Sequence, residues 1–147
     1  MTLRVRQAAR LLMLDPAGRV LLFPYQPADR AEYWFTPGGE LEAGESLADA
    51  ARRECREETG HLIADPGSPV ARRSFELTLL DGERVRALEH FFLIRVEHAR
   101  LDDGGWTELE RRVMGRGRWW PPEELAASGA RYFPEDLLVM LAEASAG

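Results

Sequence analysis

Apolar residues come in blocks along the first part of the chain. Residues 8–14 form one block and residues 20–23 another, and Asp15-Pro16-Ala17-Gly18 separates them. A turn-forming tetrapeptide between two apolar runs predicts a hairpin whose first strand is buried on both faces. Residues 24–32 are polar, hold two prolines and predict a loop. Tyr33-Trp34-Phe35-Thr36 predicts a short strand that stops at Pro37-Gly38-Gly39. The period then changes. Leu47, Ala51 and Cys55 recur every four residues, with Ala48 and Ala50 beside them, which predicts the inward stripe of a helix. Ser46 and Asp49 give that helix a capping-box start, and Gly60 ends it where a positive φ is cheap.

Beyond a loop at 65–69, residues 70–80 and 85–96 flank Asp81-Gly82 and predict a long antiparallel hairpin, with Phe75, Leu77 and Leu79 alternating cleanly. Residues 98–106 are rich in Gly and Asp and predict a loop. Residues 107–117 are highly charged and show no clear period. Arg118-Trp119-Trp120 is a strand or turn. Pro121-Pro122-Glu123-Glu124 opens a small helix and Pro134-Glu135-Asp136 the last one, since an early Pro and first-turn acids favour helix starts. No repeat and no long linker divides the chain, so residues 1–147 read as one domain. The pattern is a mixed sheet with one long helix after the third strand and further helices at the C-terminus.

The length of 147 residues suits one domain with its own core. A formal net charge of -6 argues against nonspecific binding to nucleic acid polymers or anionic membranes. It also means that a phosphorylated ligand needs a local cation or arginine cluster. The 19 basic residues are all Arg. Arginine forks suit phosphate, but a total absence of Lys reads first as a composition bias. The single Cys55 excludes an intrachain disulfide framework and a multi-cysteine zinc site, and its inward position predicts a buried small hydrophobe. No early apolar run is long enough to cross a bilayer, which makes a cytoplasmic protein the expectation.

The chemistry concentrates between Gly39 and His61. Glu54, Glu57 and Glu58 stand at i, i+3 and i+4, on one helical face directly behind the Pro-Gly-Gly turn. Three crowded carboxylates repel one another, and a hard divalent cation with oxygen ligands removes that cost. A solvated helix face paired to arginines is the bland alternative for such a cluster.

Gly39, Glu45, Arg53, Glu54, Cys55, Glu57, Glu58 and Gly60 fall in the order and spacing of the Nudix signature, and the chain resembles a Nudix hydrolase. His61 stands where that signature has an aliphatic residue, with Leu62 next to it, and Cys55 replaces another aliphatic. The resemblance implies an α/β fold, an alpha-beta-alpha sandwich around a mixed, partly antiparallel sheet. It implies Mg²⁺- or Mn²⁺-dependent hydrolysis of a nucleoside diphosphate linked to a further group. Glu57 and Glu58 are then metal ligands, Glu54 a ligand or the general base, and a carbonyl of the Gly38-Gly39 turn a further donor. Arg53 is implied to organise a box carboxylate, with direct phosphate contact as the alternative. Gly39, Glu45 and Gly60 are implied to be structural.

Some family members place the base on a downstream loop. Glu108 and Glu110 lie in such a segment, and Glu89 and Glu97 are on or near a strand. For substrate, Tyr33, Trp34, Trp106 and Trp119 offer rings for a base, with Tyr33 and Trp34 on opposite faces of their strand. Arg10, Arg30, Arg72, Arg73 and Arg118 are candidates for phosphate contacts. The compact length and the Trp-Phe-Thr-Pro-Gly-Gly run resemble small MutT-like members acting on nucleoside triphosphates. ADP-ribose or a nucleotide sugar, a dinucleoside polyphosphate, and a binding module without turnover are the alternatives. The expected partner is a small nucleotide, on a monomer or homodimer.

Overall fold

Strand β1 (Arg4–Leu14) is the axis of the architecture. In this computed structural model residues 2–26, 31–79, 81–108, 110 and 115–146 are described. The turn at Asp15–Gly18 returns the chain into β2 (Val20–Tyr25), antiparallel to β1. Asp15 holds that turn: its carboxylate accepts from the N–H groups of Ala17 and Arg19 and from the Arg19 guanidinium. Short strands β3 (Tyr33–Phe35) and β4 (Gly38–Glu40) follow, then helix α1 (Leu47–Thr59). The hairpin of β5 (Ala71–Thr78) and β6 (Arg84–Arg95) comes next. The chain finishes through β7 (Arg118–Trp120), α2 (Pro122–Ser128), β8 (Tyr132–Phe133) and α3 (Leu137–Ala146).

The sheet order is β5-β6-β1-β2-β3-β8, with β4 added to β1 and β7 added to β2. β1 pairs in parallel with β6 from Arg4↔Val85 to Leu14↔Arg95, and β3 pairs in parallel with β8; the remaining pairings are antiparallel. The sheet is therefore mixed.

Side chains on β1 and β2 alternate between two cores, as the period of a strand requires. Ala9, Leu11, Met13, Leu21 and Phe23 point to one face, where Ala50, Ala51 and Cys55 of α1 cover them. Leu12, Leu14, Val20 and Leu22 point to the other, under Leu125 of α2 and Leu137, Met140 and Leu141 of α3. This is an α/β sandwich, and β1 is buried on both sides from Leu11 to Leu14, as the apolar run at 8–14, interrupted only by Arg10, predicts. Cys55 is buried, in the role its position predicts. Among the described residues, no helix is long and apolar enough to cross a membrane.

Helix α1 begins and ends where its sequence places it. Ser46 Oγ accepts from Asp49 N–H at 3.1 Å. Only this half of the capping box forms, because the Asp49 carboxylate is held by Arg52. At the other end Gly60 takes φ 79 and donates to the Arg56 carbonyl at 3.0 Å.

The Pro37-Gly38-Gly39 segment departs from expectation. It does not simply end a strand: Gly38–Glu40 is itself strand β4, with Gly38 opposite Arg10 and Gly39 opposite Ala9. The long helix therefore follows the fourth strand. Two glycines carry no side-chain alternation, and only the edge offered by β1 makes this piece a strand. The close approach is possible because Gly38 has φ +134 and no Cβ; a Cβ there would lie 2.2 Å from the Ala9 carbonyl oxygen. Gly38→Ala is expected to cost about 2–3 kcal/mol through backbone strain and this clash. Urea unfolding reads the loss as a lower midpoint.

Candidate active site

Helix α1 lies against β1 and β4, and its acidic face meets the Gly38-Gly39 segment. Glu58 is 5% exposed and Glu54 8%. The Glu57 side chain reaches the rim, at 38% exposed. The three acids of one helical face thus divide into a buried pair and one half-exposed member.

Arg53 organises the cluster. Its Nε and Nη2 grip both carboxylate oxygens of Glu45, at 2.7 and 2.9 Å. Nη1 donates to Glu54 Oε1 at 2.8 Å and to Glu57 Oε2 at 3.3 Å, and Nη2 also donates to the Glu40 carbonyl at 3.1 Å. A guanidinium has five N–H donors, and these five bonds use them all. No donor is left for a phosphate, so the geometry favours the organising role over direct contact. Glu45 faces Arg53 and the Glu42 N–H rather than the other acids. The Arg53 hydrogen bonds hold the Glu45 carboxyl below its ordinary range, and Arg53 is in turn pushed above its own, first by Glu45.

Glu58 experiences the reverse. Burial pushes its carboxyl well above the usual range, and the charge and hydrogen bond of Glu54 beside it push the same way. Arg10 and the Gly38 N–H, which donates to Glu58 Oε2 at 3.2 Å, oppose the shift. Gly39 makes room for the pair, since a Cβ there would sit 2.6 Å from Glu54 Oε1.

Two buried, mutually repelling carboxylates beside backbone carbonyls suit a hard cation with oxygen ligands. Among the described residues, no three Asp, Glu, His or Cys side chains are grouped closely enough to hold a metal by themselves. Arg53 draws Glu54 and Glu57 toward itself. The donor set that fits is therefore the Glu54–Glu58 pair, Glu57 at the rim, and oxygens from the turn and from a substrate. The Gly38 carbonyl already accepts one bond, from Arg10 at 3.2 Å, and retains its second lone pair.

Two clefts border this centre. One, of about 600 Å³, reaches the centre at Arg10 and Thr36 and is lined by Tyr25, Tyr33, Phe35, Phe75 and Phe133, together with Arg6, Arg73, Arg131 and Glu89. Its rings meet edge to face: Tyr33 lies 5.3 Å from both Tyr25 and Phe133. The other cleft, of about 720 Å³, is bounded by Glu58, Phe23, Asp102, Asp103, Trp106 and Arg116. Here the 101–106 loop clamps the end of α1. Trp106 Nε1 donates to the Glu58 carbonyl at 2.8 Å, and Asp102 N–H donates to the Thr59 carbonyl at 3.0 Å.

The remaining sequence candidates are dispersed. Trp34 faces away from Tyr33 and stacks edge-on against Trp120 at 5.1 Å in the core beneath α2 and α3. Trp119 donates to the Ala99 carbonyl and packs on the α1 side of the sheet. Trp106 serves α1 as a clamp and packs edge-on against Phe23. Arg118 pairs with Glu124 and lies 3.7 Å over the Trp120 ring. Arg73 lines the aromatic cleft, over the Phe75 ring, whereas its neighbour Arg72 is exposed on the opposite face of β5. Glu89 is held by Arg10 at 2.9 Å. Glu97 and Glu108 are exposed, and Glu110 caps a turn by exchanging hydrogen bonds with Thr107. Arg30 lies outside the described residues.

Phe75, Phe133 and Arg131 escaped the sequence reading of the cleft. Phe133 stands in a two-residue strand, too short for alternation to show. Asp102 and Asp103 escaped it too, because nothing local marks which part of a loop folds back on a helix.

The family model for the NUDIX domain matches residues 4–139. The chain is 31% identical over 137 residues to an RNA pyrophosphohydrolase of Erythrobacter litoralis, covering 84% of this chain and 80% of that protein. It is 35% identical over 98 residues to a putative 8-oxo-dGTP diphosphatase 2 of Mycobacterium tuberculosis, covering 58% of this chain and 69% of that one. A further curated relative is matched over only 34% of its own length. Among solved structures, a MutT protein from Methanosarcina mazei superimposes with a TM-score of 0.73 at 22% identity, covering 100% of this chain and 99% of that one. The chain belongs to the Nudix hydrolase family. The names of these two relatives point to different substrates, RNA and 8-oxo-dGTP, so membership defines the class of chemistry and leaves the substrate open.

Proposed function

We propose that the protein hydrolyses a diphosphate linkage within a small nucleotide, with a nucleoside triphosphate as the leading substrate and a nucleoside monophosphate and pyrophosphate as products. The observation that carries this reading is the buried Glu54–Glu58 pair set against the Gly38-Gly39 strand, with an aromatic cleft adjoining it. Glu54, Glu57 and Glu58, with a carbonyl of Gly38 or Gly39, would hold Mg²⁺ or Mn²⁺. Nudix hydrolases generally use divalent metals; a cation held here would supply neutralisation of phosphate charge and easier ionisation of water. The protein's own groups do the rest. Arg53 fixes the rotamers of Glu54 and Glu57, and Glu45 fixes Arg53. Glu54 is the member of this set that would, as the alternative to holding the cation, accept the proton from attacking water. Tyr33, Phe35 and Phe75 receive the base, since an aromatic wall accepts any base face.

The test is a substrate panel with Mg²⁺ or Mn²⁺ and products identified by mass. The panel takes canonical nucleoside triphosphates, 8-oxo-dGTP, RNA with a 5′-triphosphate, ADP-ribose, nucleotide sugars and dinucleoside polyphosphates. Turnover is expected, suppressed by chelator and lowered at least about 100-fold by Glu57→Gln. Binding without product would instead make the chain a nucleotide-binding module. Release of AMP and ribose phosphate from ADP-ribose alone would replace the triphosphate reading.

A further inference from the structure

Arg10 stands where the aromatic cleft meets the acidic centre. It lies on β1 opposite Gly38, and its side chain is only 19% exposed. Nε donates to Glu89 Oε2 at 2.9 Å, which sets the plane of the guanidinium. Nη1 forks onto the carbonyls of Thr36 and Gly38, at 3.3 and 3.2 Å. These bonds occupy Nε and Nη1. Nη2 carries two more N–H donors and makes no hydrogen bond among the described residues, although the side chain is part-buried and lines the cleft. Nη2 thus faces the open cleft, where an entering anion can take the place of water.

Charge sharpens the point. The chain carries a formal net charge of -6, so an anionic substrate needs a nearby cation. Arg53 has no donor to spare. Arg6 is paired with Glu40. Arg73 lies over Phe75 with Asp136 at 4.0 Å. Arg131 is exposed beside Phe133. Arg10 alone among these combines burial, spare donors and contact with the Gly38 segment.

We propose that Arg10 Nη2 donates to the non-bridging oxygens of the phosphoryl group attached to the nucleoside, while Nη1 holds the strand that faces the acids. Arg10 is then the residue that joins base recognition to diphosphate placement. Glu89 positions it, and this places Glu89 outside the role of general base. The inference rests on the reading that the cleft takes a nucleotide.

Calorimetric titration in chelator tests it, because no cation then contributes. The probes are AMP and GMP, each against its own nucleoside. For the wild-type protein the better-bound monophosphate is expected to bind about tenfold tighter than its nucleoside, one charge-assisted contact's worth. Arg10→Lys and Arg10→Gln should erase that gain and leave nucleoside affinity unchanged. A lysine cannot hold the Thr36 and Gly38 carbonyls and also present a second pair of planar donors. No gain in the wild type, a gain that survives both substitutions, or equal loss of monophosphate and nucleoside would each overturn the proposal. A protein that turns over nothing in the substrate panel yet shows the Arg10-dependent gain would sink the hydrolytic reading and support this one.

Discussion

Arg53→Ala is expected to destabilise the protein by about 2–3 kcal/mol, below the range for removing one partner of a fully buried ion pair because this one is part-buried. The side chain is 15% exposed, and its partner Glu45 12% and Glu54 10%. Removal leaves Glu45 without its paired donor and Glu54 facing Glu58 with nothing between them and Glu57. Arg53→Lys should recover little of this. Lysine has three donors on one nitrogen and cannot span Glu45, Glu54, Glu57 and the Glu40 carbonyl together. Both variants should also lose hydrolysis, since Glu54 and Glu57 would no longer be held in one rotamer. Equilibrium urea unfolding checks the stability, and a lysine variant with wild-type midpoint and slope would show that the fork geometry is dispensable.

The same arginine shows what the sequence does and does not reveal. Arg53 and Glu57 are four apart on a helix, so their contact is legible from spacing alone. The bidentate pair with Glu45 was not, because it depends on how the loop after β4 folds back against α1. Helix α1 was readable from end to end: Ser46, the Leu47-Ala51-Cys55 stripe and Gly60 each act locally. The doubly buried second half of β1 was readable from the apolar run at 8–14, which only Arg10 interrupts. Strand β4 was not, since Gly38 and Gly39 carry no pattern and take their conformation from β1. Long-range register hid the rest. The Arg10–Glu89 pair joins residues 79 apart across a parallel pairing. Trp34 and Tyr33 were separable by alternation, but which face held the cleft required Phe75 and Phe133 from other strands. For Trp106 packing is the favoured reading over stacking on a base, and the loop that binds its indole N–H to α1 accounts for it.

The buried acid pair carries the second large effect. The folded-state carboxyl of Glu58 is raised well above its ordinary 4.5 by burial and by Glu54. Between the ordinary and the raised value the folded protein therefore binds more protons than the unfolded chain. Stability falls as pH rises through that window, and the full penalty stands above it. A divalent cation bound by Glu54 and Glu58 in the folded state alone relieves the penalty and adds its own linkage, about 2.7 kcal/mol at a hundredfold excess over its dissociation constant. Melting temperature is thus expected to rise with Mg²⁺ or Mn²⁺, more at about pH 8 than at about pH 5, where protonation competes with the ion. Glu58→Gln removes the charge that burial opposes. It should melt at or above the wild type in chelator, respond little to either cation and hydrolyse nothing measurable. Thermal melts of the two proteins with and without cation decide the matter. A glutamine variant that melts lower in chelator and keeps the full cation response would mean that Glu58 stabilises the fold as an ion and that the metal binds elsewhere.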